Sequence, residues 1–170
     1  MTSSAANALV GEMALVKQRL FDEEDGGTMT MITSFGYIDS RASFGLTAQP
    51  GADPCMPIPK KWAVVEPLMN RVKAATLEDA QELIGMLSEP FFTSPFKLFC
   101  TGVSSPYFFG GVEQEEREFS RAIEKGSTVL HLLEAMYDIF VDAKIHPQET
   151  MMVFDLEVTD DGAVRIEYGR

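Results

Sequence analysis

The residues of this chain that could do chemistry are two histidines, two cysteines and 26 acidic side chains. His131 and Glu134 are three residues apart, a spacing that places two metal ligands on one face of a helix. A catalytic zinc site needs three protein ligands, so this pair is more typical of an exposed or salt-bridged surface. His146 stands at the end of the same predicted helix, where a cation interacts well with the helix dipole. Cys55 and Cys100 are not part of a C-x-x-C pair, which predicts reduced thiols rather than a metal centre or a disulfide.

No sequence motif for a catalytic nucleophile or a phosphate loop occurs, whereas a Ser/His/Asp or Cys/His arrangement depends on the fold and stays open. The chain has no G-x-S-x-G sequence. Its glycine pairs, Gly26-Gly27 and Gly110-Gly111, lack the spacing or the Lys-Ser/Thr continuation of a phosphate loop. We therefore expect no catalytic residue, no metal and no cofactor, and we expect that the protein is not an enzyme. A small enzyme that uses carboxylates stays open as an alternative, because acidic side chains are abundant.

Hydrophobic spacing predicts the elements that would carry these residues. One apolar stripe of Leu9, Met13, Val16 and Leu20 indicates a first helix. Helices are predicted over 8–21, 76–87, 112–124 and 127–145, strands over 28–38 and 42–48, and hairpins around 101–106 and over 150–168. Residues 49–59 form a proline-rich loop, and 60–74 are ambiguous because Pro67 interrupts an amphipathic pattern. The fold class is α+β, a single domain over 1–170 with an antiparallel sheet, helices packed on one face and a flexible leader at 1–7.

Two segments make specific predictions about the core. In the 150–168 hairpin, strict alternation places Phe154, Leu156 and Ile166 inside, with a turn at Asp160-Asp161-Gly162. The aromatic stretch 91–111 could be a stacking platform for a ligand or a base. A core-facing sheet is the preferred interpretation, because such platforms need interleaved cations and only Lys97 is present there.

Composition limits the function classes. The chain has 170 residues, 45% of them hydrophobic, with a net charge of −12 and a pI of about 4.5. The hydrophobic content excludes a disordered chain, and the acidic balance argues against direct nucleic-acid binding and against an anionic membrane surface. No signal-peptide pattern and no long apolar run occur, so we expect a cytoplasmic protein.

The acidic excess is concentrated in the last third of the chain. Residues 113–170 hold fourteen of the 26 acidic residues but only six of the 14 basic ones. On the last helix and hairpin these acids form a candidate surface that steers in a basic partner, or a face that only keeps the protein soluble. The candidate partner-binding residues are Glu134, Asp138, Asp142, Asp155, Glu157 and Glu167.

The end of the chain also carries a resemblance. From Leu133 to Arg170 a helix is followed by the loop His146-Pro147-Gln148-Glu149-Thr150, a strand ending Leu156-Glu157-Val158, a turn with Gly162, and the strand Val164-Arg165-Ile166-Glu167-Tyr168. This pattern resembles the C-terminal part of YezG-like immunity proteins of bacterial polymorphic toxin systems. The tryptophan that the family usually carries before the first of these strands is absent. The resemblance implies a small acidic α+β protein paired with a toxin, usually a nuclease.

These observations together predict a cytosolic immunity protein. Its partner would be a cognate toxin domain with a basic, nucleic-acid-targeting groove, and its oligomeric state stays open. The first alternative is an acidic secretion chaperone of the type III class, which binds an unfolded effector segment along an apolar groove. A carboxylate-dependent enzyme and a phage-encoded inhibitor that mimics DNA are further alternatives.

Overall fold

A computed structural model describes residues 4–21, 27–32, 64–65, 67–68, 77–103, 116–143 and 150–169. Three helices have described bounds, namely α1 (Ser4–Leu20), α2 (Leu77–Leu87) and α3 (Val129–Asp142). The strands are β1 (Met29–Ile32), β2 (Phe96–Val103), β3 (Glu116–Ile123), β4 (Thr150–Val158) and β5 (Val164–Gly169). The predicted hairpin strand 42–48, the loop 49–59, Cys55 and His146 lie outside the described residues.

The helices form where the apolar period predicted them. All four stripe residues of α1 are buried. The helix begins at Ser4, so residues 4–7, predicted as a leader, are its first turn, and Ala6 is buried. In α3, the buried face consists of Val129, Leu130, Leu132, Leu133, Met136, Ile139 and Phe140. The described residues of the ambiguous 60–74 segment are helical, and Val64, Val65 and Leu68 are buried.

The five described strands form one mixed sheet in the order β1-β4-β5-β2-β3. Every neighbouring pair is antiparallel except β2–β5, which is parallel. On one face, Leu98, Ile166 and Val153 belong to the same buried cluster as the apolar stripes of α1 and α3. Both helices therefore cover this face, which confirms the single α+β arrangement.

Strand β3 corrects the prediction of a helix over 112–124. The run of glutamates there resembles the acidic first turn of a helix. From Glu116 to Ile123, however, every residue pairs with β2, in a register that matches Phe96 with Ile123. Arg117, Phe119, Arg121 and Ile123 alternate with smaller or acidic residues, and this period of two suits a strand with one packed face. Four of its eight residues are charged, as is common at a sheet edge.

A bulge in β4 corrects the predicted core of the last hairpin. Val153 pairs with Tyr168 and Asp155 with Glu167, so Phe154 is an extra residue between them. The extra residue shifts the alternation by one, which leaves Val153 and Leu156 on the buried face. Leu156 and Ile166 are in the core as predicted, but Phe154 is 47% exposed.

The aromatic stretch behaves as core within its described part. Phe92 packs edge-to-face between Phe91 and Phe96, with ring centroids 5.1 and 5.0 Å away. Phe92 and Phe96 are buried.

Of the helices in the described ranges, none has the length and apolar content to cross a membrane.

Candidate functional site

The start of α3 fixes the first group of candidate side chains. The Thr128 hydroxyl accepts a hydrogen bond from the backbone N–H of His131 (3.1 Å), and His131 Nδ1 accepts one from the backbone N–H of Thr128 (3.2 Å). These reciprocal bonds form a capping box, with histidine in the place usually held by Glu or Gln. His131 therefore has a structural role that explains its position. No group of three metal-ligating side chains occurs within the described ranges.

One side of α3 faces the edge strand β3 across an open groove of about 360 Å³. Its charged lining consists of three carboxylates, those of Glu124, Glu134 and Asp138, and one guanidinium, that of Arg121. Arg121 also contacts the carboxylate of Asp142 at the last turn of α3. Negative charge therefore exceeds positive charge in this groove, which we call the β3–α3 groove.

The other three candidates lie on the opposite face of the sheet. Tyr168 of β5 contacts Phe140 of α3, with ring centroids 5.4 Å apart, so Tyr168 points toward the helix. Glu167, its neighbour, therefore points to the other face. Asp155 and Glu157 share that face, because they pair with Glu167 and Arg165 across β4 and β5.

Cations accompany the acids on this second face. Lys17 belongs to α1, which covers the first face, but its ammonium donates to Asp155 (2.9 Å) beyond the part of β4 that pairs with β1. This bond offsets the repulsion between Asp155 and the directly opposed Glu167. Arg165 lies 3.8 Å from a carboxylate oxygen of Glu157.

The middle of the same face carries one more cation. Lys97 bonds to Glu118 (2.7 Å). Lys97 and Arg165 also lie over the ring of Phe99, at 4.9 and 5.5 Å from its centroid. Their alkyl stems help to bury this ring. The face is thus a mosaic of both signs, and each exposed ion pair contributes at most about 1 kcal/mol.

The six predicted partner-binding residues consequently form two surfaces. Glu134, Asp138 and Asp142 lie along the β3–α3 groove, and Asp155, Glu157 and Glu167 lie on the far face of the sheet. Sequence reasoning missed Glu124 as a groove residue, because the segment before it was predicted to be a helix. It also missed the pairing of Lys17 with Asp155, which joins residues 138 positions apart and leaves no local signal.

Within the described ranges, two titratable groups have pKa values that their surroundings shift. Burial raises the pKa of the Cys100 thiol to about 11, so this thiol is protonated at neutral pH and is a poor nucleophile. The Thr159 hydroxyl donates to the carboxylate of Asp161 and lowers its pKa. Asp161 is fully exposed in the β4–β5 turn. The first effect is typical of a structural thiol and the second of turn stabilisation.

The acids of both surfaces are exposed or half-buried and are therefore accessible to a charged partner. Comparisons with known proteins found no matching family model, no matching curated protein and no matching solved structure.

Proposed function

We propose that this protein is a cytosolic immunity protein that binds a cognate, basic toxin domain and blocks its nucleic-acid-binding groove. The observation that carries the proposal is the β3–α3 groove, where the carboxylates of Glu124, Glu134 and Asp138 outnumber the one guanidinium of Arg121. An excess of one sign in a cleft with low-dielectric walls focuses the electric field. A basic toxin surface is the complementary partner.

The charge excess would act mainly on the rate of association. Complementary potentials raise association rates by orders of magnitude at low ionic strength, and salt screens the effect over about 10 Å at 0.1 M. An inhibitor of a toxin gains from rapid capture, because each uninhibited molecule damages the host. The far face of the sheet contributes less to this steering, since Lys17, Lys97 and Arg165 offset its acids.

The polar lining of the groove favours this function over a secretion chaperone. A chaperone of that class needs a continuous apolar groove for an unfolded segment. The β3–α3 groove has only Ala122, Ile123 and Ala135 as apolar lining residues. A charged partner surface therefore fits the groove better than an apolar segment.

The test measures binding to the protein encoded beside this one, by stopped-flow kinetics at two salt concentrations. The double variant Glu124→Lys/Glu134→Lys changes the groove. Its matched control, Glu157→Lys/Glu167→Lys, makes the same change in charge on the far face. We expect the groove variant to slow association about tenfold or more at low salt, and the control to slow it less than threefold.

Two results would count against the proposal. Absence of saturable binding to the neighbouring protein, together with failure to protect cells that express it, would reject the immunity function. Equal slowing by both variants would keep the partner but would remove the groove from its interface. Capture of an unfolded segment rather than a folded domain would favour the chaperone alternative.

A further inference from the structure

The β3 edge of the sheet and the β3–α3 groove occupy the same place in the fold. Among the described strands, β3 has a neighbour on one side only, which is β2. Its eight residues would span about 27 Å at the rise of an antiparallel strand. An edge strand presents a row of backbone donors and acceptors to which another extended chain can pair.

We propose that β3 receives an extended segment of the partner protein as an added strand, with lysine or arginine at alternate positions. This inference rests on the proposed function and specifies how the partner is held. The new strand would lie along β3, about 4.8 Å from it. Every second side chain would then point to the side of the sheet that α3 covers.

The spacing and charge of the groove select the side chains of the segment. Alternate side chains of a strand are about 6.8 Å apart. Glu134 and Asp138, one helical turn apart, are separated by about 6 Å along the axis of α3. The spacing of two basic side chains at alternate positions therefore matches the spacing of these two carboxylates, whereas two acidic side chains would meet repulsion.

Arg121 already joins the two elements that such a segment would contact. Its Nη1 donates to the backbone carbonyl of Ser120 at 2.9 Å, and its Nη2 contacts the carboxylate of Asp142. One guanidinium thus joins a backbone group of β3 to an acid of α3. An added basic strand would extend this pattern. Its backbone N–H groups would donate to carbonyls of β3, and its cationic side chains would pair with acids of α3.

Charge complementarity also favours a partner segment over a second copy of this chain. Each copy carries a net charge of −12, and pairing two β3 edges would bring two acidic grooves together. The acidic groove therefore works against self-pairing, which is a common use of charge at sheet edges.

The test uses synthetic ten-residue peptides in which lysine alternates with threonine, titrated into the full chain at 50 mM salt and followed by amide NMR shifts. Two N-methylated versions block either the odd or the even backbone N–H groups. We expect saturable binding with shifts confined to β3 and α3. One methylated peptide should lose at least tenfold in affinity, and the other should stay within threefold.

Matched variants test the side-chain part of the proposal. Glu134→Lys should weaken binding of the unmethylated peptide about fivefold or more, and Glu167→Lys, with the same charge change on the far face, less than twofold. If Glu134→Lys does not fold, the two methylated peptides on the unaltered chain still decide the question.

Several outcomes would overturn the inference. They are absence of saturable binding at millimolar peptide, equal losses for both methylated peptides, equal effects of the two variants, or shifts centred on β4 and β5. A dimer that pairs through β3 would assign the edge to a second copy instead. Failure of the peptides while the neighbouring protein still binds would reject strand addition alone and leave the proposed function standing.

Discussion

The bulge in β4 predicts that two neighbouring apolar residues differ sharply in their contribution to stability. Leu156 is fully buried, whereas Phe154 is 47% exposed. Truncating a buried leucine to alanine costs about 2–5 kcal/mol, because lost burial and a cavity add together. Full burial of a phenylalanine is worth about 1.5–3 kcal/mol, so a half-exposed ring contributes about 1 kcal/mol. Solvent also fills the space that this ring leaves.

Urea denaturation of Phe154→Ala and Leu156→Ala measures the difference. With a slope of about 2 kcal/mol per molar urea, Leu156→Ala should lower the midpoint by about 1–2.5 M, and Phe154→Ala by about 0.5 M. Equal decreases in the urea midpoint, or a larger decrease for Phe154→Ala, would mean that the side chains of β4 alternate regularly and that β4 has no bulge at Phe154. Val153→Ala is the positive control, since Val153 is buried beside the bulge.

Four further predictions concern close contacts and titrating groups. A Cβ on Gly102 would lie 2.5 Å from the hydroxyl oxygen of Tyr168, which donates to the Thr101 carbonyl. Gly102→Ala should therefore cost about 1–3 kcal/mol in urea denaturation, and much less when combined with Tyr168→Phe. Cys100 should resist iodoacetamide at pH 8 until the protein unfolds, as followed by peptide mass mapping. Because burial raises the pKa of Cys100 to about 11, its contribution to folding is complete below about pH 9 and is lost as the pH rises to about 11, so Cys100→Ala should flatten the pH dependence there. Thr159→Val should raise the low pKa of Asp161 toward its ordinary value in an NMR titration.

The parts of the fold that follow from local sequence were predictable. The apolar stripes of α1 and α3 repeat every three or four residues, and the same residues are buried in the structure. The cap of α3 is Thr128, a residue type that favours helix starts. These features depend on residues within a few positions of each other.

The parts that depend on distant partners were not predictable. The acid-rich start of the 112–124 segment favours a helix locally, but pairing with β2 decides in favour of the strand β3. The parallel pairing of β2 with β5 has no local signal, since it joins Leu98 to Val164. The bulge at Phe154 is also set by the register of two strands, because alternation alone does not reveal an extra residue.

In the candidate site, too, the composition could be predicted from the sequence but the arrangement of the charges could not. Net charge is a property of the sequence, but the potential at a surface depends on which cations lie beside which acids. Lys97 and Arg165 lie beside acids on the far face of the sheet, and Lys17 of α1 bonds to Asp155 of that face. At the β3–α3 groove, three carboxylates face the single guanidinium of Arg121. The imbalance is therefore larger beside the strand edge than on the far face, and a basic segment there could pair with Glu134 of α3 and with the backbone of β3 at the same time.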